Sequence, residues 1–223
     1  MNDRRAADRG TFFREPASGL IHLASALAAA VGAAALVTAS PQVAHRQIAL
    51  AVYGASLVLL FAASAAYHLM RTSSSGELLL RRLDHTAIFL LIAGTYTPVC
   101  VIVLWGPLGK TMLIAIWVIA AAGILLKVFF IERVTRWVSV ALYVLMGWLA
   151  IVGIVPLFRA LPLSALGWLL AGGLLYTAGA VIYATKRLNP FPGVFGFHEI
   201  WHLFVSAAAA SHYMMMLLYV ARY

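Results

Sequence analysis

Long apolar stretches alternate with short polar ones along the whole chain. They cover roughly 18–39, 48–69, 85–104, 111–130, 137–155, 165–184 and 197–219. Each approaches the ~20 residues that an α-helix needs to cross ~30 Å of hydrocarbon. The pattern predicts seven transmembrane helices. Pro41, Pro107, Pro156, Pro162, Pro190 and Pro192 fall in or beside the breaks, where proline punctuates. The fourth stretch is the weakest, because Lys127 sits in its last turn. A lysine there is expected to snorkel to the interface. No break is long enough to hold an extramembrane domain, and no internal repeat suggests an inverted-repeat transporter. The expected architecture is an all-α membrane protein, with one seven-helix transmembrane domain over 18–223 after a leader of residues 1–17.

Composition narrows the class further. Of 223 residues, 64% are hydrophobic and 10% charged, against ~45–50% and ~25% in soluble domains. A soluble enzyme, a disordered tail and a coiled coil are excluded. The lone cysteine, Cys100, excludes an internal disulfide and a Cys-rich zinc module. The net charge of +9 would suggest nucleic acid in a soluble chain. Here the basic residues are spread between apolar runs, so they read as topology signals and no nucleic-acid partner is expected. Arg4, Arg5, Arg9, Arg14, Arg71, Arg81, Arg82, Lys127, Arg133, Arg136, Lys186 and Arg187 fall on one side of the seven spans. Arg46, Lys110, Arg159 and Arg222 fall on the other. Twelve against four puts the N-terminus in the cytoplasm and the C-terminus outside. The leader mixes arginines with Asp3, Asp8 and Glu15 and lacks the apolar core of a cleaved signal peptide.

Ionisable groups are costly in hydrocarbon, so those near or inside the spans are informative. Ser64 and His68 end span two, Asp84 and His85 open span three, and His198, Glu199 and His202 open span seven. The loop charges place all three helix ends in the cytoplasmic layer. His198 and His202 are four residues apart and share a helix face, as do Ser64 and His68. Three neutral histidines with one open position make a catalytic zinc site, and zinc makes a bound water acidic enough to act at neutral pH. His68, His198 and His202 are therefore the candidate metal ligands. Asp84 is the candidate proton acceptor, and Ser64 the candidate partner for the water or a developing oxyanion. The plainer readings are a helix cap for Asp84, a bond from Ser64 to its own helix carbonyl, and packing or hydrogen-bonding roles for His22 and His212. His45 lies in an outer loop.

His198-Glu-Ile-Trp-His202 is also a literal H-E-x-x-H, the zincin pattern in which the glutamate is the general base. Glu199 is one residue from His198 and points ~100° away from it around the helix, so a protease is the lesser alternative. A sensor of bilayer state with a structural zinc is another. A pore is a third, although no ring of charges lines a span.

Ser64-Ala-Ala-Tyr-His68, Leu83-Asp-His-Thr86 with Ile92-Ala-Gly-Thr-Tyr-Thr-Pro98, and Gly196-Phe-His-Glu-Ile-Trp-His202 resemble the hemolysin III family over nearly the whole chain. This is the bacterial branch of the progestin and adipoQ receptor family, related to the alkaline ceramidases. The resemblance implies zinc held by His68, His198 and His202 near the cytoplasmic face, with Asp84 and Ser64 beside the metal's water. It also implies a lipid substrate, amide hydrolysis of the ceramidase kind, a link to membrane lipid homeostasis, and a multi-pass protein of the bacterial inner membrane. Glu15 and His22 match an acidic-plus-histidine element of the family's first span, and the resemblance gives that element no role.

Overall fold

The computed structural model describes residues 13–191 and 194–223. Residues 1–12 of the expected leader, and Pro192, lie outside the described residues. Seven helices are long and apolar enough to cross a membrane: α1 (Pro16–Ala39), α2 (Ala44–Leu69), α3 (Ser74–Val103), α4 (Pro107–Phe130), α5 (Arg136–Ala160), α6 (Leu163–Thr185) and α7 (Phe197–Val220). The described residues contain no strand, only an isolated bridge between Phe191 and Phe195.

Local chemistry sets the ends. Pro16 and Pro107 occupy the first turns of α1 and α4, where a missing N–H costs nothing. Gly106, at φ 140°, turns the chain into α4 through a conformation that favours glycine. Ser73 caps α3 by accepting from the Gly76 N–H, and Thr135 caps α5 by accepting from Val138 N–H. Proline also marks the irregular turns. Pro98 is followed by a wide π turn over Val99–Val103. The Leu149–Gly153 segment of α5 tightens into a 3-10 turn just before Pro156.

The third helix departs from the sequence expectation. It starts at Ser74, not near residue 85. Glu77, Arg81, Arg82 and Asp84 interrupt the hydropathy but not the backbone, because Leu78, Leu79, Leu80 and Leu83 keep helical company with them. Asp84 thus sits ten residues into a continuous helix, about 15 Å from its start, and is not its cap.

The helices form a bundle in which sequence neighbours α1 to α4 pack in turn, α6 packs on α7, and α7 returns against α1. Glycines allow the close α6–α7 approach. The imidazole of His212 fills the space that a Gly172 side chain would take, and Phe204 and Trp201 fill that of Gly179. The fifth helix is the loosest wall: it buries only Ser139, Met146, Gly153 and Leu157. Behind it lies a cavity of about 800 Å³.

Candidate metal centre

The three predicted histidines meet at one end of this cavity. His68 comes from the last turn of α2, and His198 and His202 from the first two turns of α7. One ring nitrogen of each lies within 4.8 Å of the others, and the group could hold a metal ion. The ring centroids form a triangle with sides of 5.0, 4.7 and 4.8 Å. His198 Nε2 and His202 Nε2 are 3.4 Å apart. Two ligands at ~2.0–2.1 Å from a tetrahedral zinc stand about 3.3 Å apart, so this pair already has the spacing of a chelate. His68 and His202 are almost fully buried, at 1% and 2% exposure.

The outward nitrogens are held too. Nδ1–H of His68 donates to Glu15 Oε2 at 2.6 Å, and His198 Nδ1 stands 3.6 Å from the same oxygen. The Glu15 backbone N–H also donates to the His68 carbonyl. His202 Nδ1 lies 3.0 Å from the His22 ring. Glu15 and His22 thus hold the Nδ1 atoms of His68 and His202, which orients both rings for a metal. Burial alone would push the Glu15 carboxyl up. The His68 hydrogen bond, together with His68, His198 and Arg14 nearby, overrides this and holds it down at about 2. Glu15 is an anion at any working pH.

Glu15 and His22 are the functional residues that the sequence reading left without a role. They stand seven residues apart, two turns along one face of α1. Ser18 and Ser25 lie on the same stripe. Ser18 donates to Glu199 Oε1, and Ser25 is hydrogen-bonded to Ser206. Glu15, Ser18, His22 and Ser25 thus meet His198, Glu199, His202 and Ser206 in order along two parallel helices. Polar side chains across such a seam bind helices together in an apolar setting. A polar stripe at 15, 18, 22 and 25 was the signal available in the sequence.

Glu199 is occupied elsewhere. Its Oε2 accepts from the Gly196 N–H at 2.8 Å, which closes the first turn of α7, and its Oε1 takes the Ser18 bond. It serves as a cap and a helix tie, which removes the support for a zincin-type base. His212, expected as a packing or hydrogen-bonding residue, donates from Nε2 to the Leu169 carbonyl.

Asp84 and Ser64 line the same cavity as the histidines. Asp84 Oδ2 is 3.1 Å from His85 Nδ1, and the Ser64 hydroxyl lies within reach of the Asp84 carboxylate. The Asp84 side chain is 13% exposed. The structure brings all five predicted site residues to one place. It adds Glu15 and His22 behind the ligands and His85 beside the aspartate.

Replacing Glu15 with glutamine is expected to lower metal affinity by about 10–100-fold, the usual cost of losing an outer partner of a ligand histidine. Competitive titration of the purified protein with a zinc chelator reads this directly. An unchanged affinity would show that Glu15 serves packing alone.

The haemolysin-III-related family profile matches residues 11–213. The chain belongs to the hemolysin III family. It is 44% identical to Hemolysin-3 of Bacillus cereus over 173 residues, which cover 78% of this chain and 75% of that protein. It is 36% identical to a Hemolysin-3 homolog of Bacillus subtilis (strain 168) over 175 residues, 78% of each. The human monocyte to macrophage differentiation factor is 30% identical over 229 residues, covering all of this chain and 92% of the human protein. This hemolysin III protein thus stands with the progestin and adipoQ receptor relatives, as its S-x-x-x-H, Asp and H-x-x-x-H elements implied.

Proposed function

We propose that this protein is a zinc-dependent hydrolase of a membrane lipid, opening an amide or ester bond in the cytoplasmic leaflet of the inner membrane. The observation that carries this reading is the placement of Asp84 and Ser64 beside three converging imidazoles at the head of an 800 Å³ apolar cavity. Such a volume lies in the range of small-molecule pockets. Side chains such as Ile88, Ile92, Val144 and Ile151 line it and suit an acyl chain.

The donor set fits zinc: three converging imidazoles, two of them held at Nδ1 by Glu15 and His22. When bound there, the ion would polarise a carbonyl and acidify water. The chain's own residues divide the remaining work. Asp84 accepts the proton as the water oxygen joins the carbonyl carbon, and delivers it to the leaving nitrogen or oxygen as that bond breaks. Ser64 donates a hydrogen bond to the water or to the charge growing on the carbonyl oxygen. His85 orients Asp84. The cavity wall holds the acyl chain so that its carbonyl faces the aspartate.

The test is turnover of a panel of ceramides, acylglycerols and phospholipids by protein purified in detergent, before and after chelation. One lipid class is expected to be opened, with activity lost on chelation and restored by zinc. Metal bound without turnover of any lipid would support the second reading, a zinc that only ties α2 to α7. The observation behind that reading is the position of the ligands on those two helices.

A further inference from the structure

Arg81, Lys127 and Arg136 count among the basic residues that set topology, yet the structure does not leave them as interfacial charges. All three line the cavity that holds the histidines. Lys127 is 1% exposed. It does not snorkel; its ammonium turns inward from α4 onto the Ser139 hydroxyl of α5. Arg81 on α3 is close enough for the two charges to repel. Arg136, one turn before Ser139, lies over the Tyr183 ring at 5.5 Å, and its Nε is buried without an acceptor. Tyr183 is near Arg81 as well. Three helices thus bring three cations to the same end of one cavity.

Among the described residues, none of the three forms an ion pair within 4 Å. The acids on the cavity wall are engaged elsewhere: Glu15 with His68 and Arg14, and Asp84 with His85. The remaining cavity arginine, Arg14, is paired with Glu77 at 2.9 Å. Lys127 is buried and Arg81 and Arg136 are half-buried; gathering cations there without a counter-charge is costly, and an anion in the cavity would offset that cost. A carboxylate has two oxygens and a single charge. Two guanidinium forks and an ammonium offer more donors than it can take, and a phosphate matches them better.

We propose that Arg81, Lys127 and Arg136 form a phosphate-binding subsite, so that the lipid in this cavity carries a phosphate headgroup. The proposal rests on the lipid-hydrolase reading and narrows its substrate to phosphate-bearing lipids over neutral ones such as ceramide or acylglycerol. The headgroup engages the cations while the chain runs along the apolar wall.

The test uses lipids with no bond to hydrolyse, so it reads binding whether or not the protein turns anything over. Binding of 1-O-alkyl-glycerol 3-phosphate and of 1-O-alkyl-glycerol with the same chain is measured on the full-length protein in a neutral detergent. The phosphate lipid is expected to bind at least ~10-fold more tightly. The preference is expected to collapse in Lys127→Gln and in Arg136→Gln, and to survive in Lys127→Arg and in the metal-site variant His202→Ala. Should one glutamine variant fail to fold, the other decides. Equal binding of the two lipids to the unaltered protein would overturn the proposal, as would the same preference in a folded glutamine variant. Oleate binding as tightly as the phosphate lipid would overturn it in favour of a carboxylate. Inorganic phosphate raising the melting temperature of the unaltered protein but not of the variants, with no preference between the lipids, would assign the subsite to free phosphate and overturn the lipid assignment.

Discussion

Replacing His202 with alanine is expected to cut metal affinity by about 10²–10³-fold. Structural zinc sites with four protein ligands bind with apparent energies of about 10–16 kcal/mol, or roughly 2.5–4 kcal/mol for each ligand. His202 is the ligand most firmly placed. It is 2% exposed, it is 3.4 Å from His198 through Nε2, and it is braced at Nδ1 by His22. His212, on the same helix, is committed to the Leu169 carbonyl. The measurement is zinc per chain after equilibration in a zinc buffer, with His68→Ala and His198→Ala in parallel. His212→Ala is the control and should keep its metal. The melting temperature should fall in step with metal loss, because α2 and α7 would lose their common tie. Equal zinc in the unaltered protein and in His202→Ala would remove the centre from these residues.

The bundle was legible because hydrocarbon thickness constrains helix length so tightly. All seven helices lie where the apolar stretches are. What failed was the inference that a charge ends a helix. Hydropathy falls at Glu77, Arg81, Arg82 and Asp84, but the peptide backbone satisfies its own hydrogen bonds through α3 regardless of what the side chains carry. The candidate ligands His198 and His202 were legible because a four-residue spacing fixes two imidazoles on one face whatever the tertiary structure. Glu15 was harder to see. It lies just before a helix and 53 residues from His68, so only the packing of α1 against α2 and α7 gives it a partner. Lys127 illustrates the opposite limit. From sequence, a lysine in the last turn of a span reads as an interfacial anchor. Its inward direction depends on where α5 presents Ser139, and no local pattern encodes that.

The substitution Asp84→Asn separates chemistry from stapling. Asparagine keeps the shape of the side chain but cannot accept a proton. Asp84 is not one of the three converging ligands, so zinc content and melting temperature are expected to stay near those of the unaltered protein. Turnover of the lipid that the protein opens is expected to fall by about 10²–10⁴-fold, the range for loss of a general base. The loss should appear in kcat with KM little changed, because the proton moves only in the transition state while the acyl chain is held by the cavity wall. Ser64→Ala is expected to lose less, with an upper bound near the ~10³-fold cost of one oxyanion donor. A structural metal gives a different pattern. The Glu15 and His202 variants would then shift stability, while Asp84→Asn would change nothing measurable. Equal turnover by Asp84→Asn and the unaltered protein, at equal metal occupancy, would take Asp84 out of the reaction. The base would then have to come from outside the His68, His198 and His202 cluster, and among the described residues the other cavity carboxylate beside the histidines, Glu15, already accepts the Nδ1–H of His68.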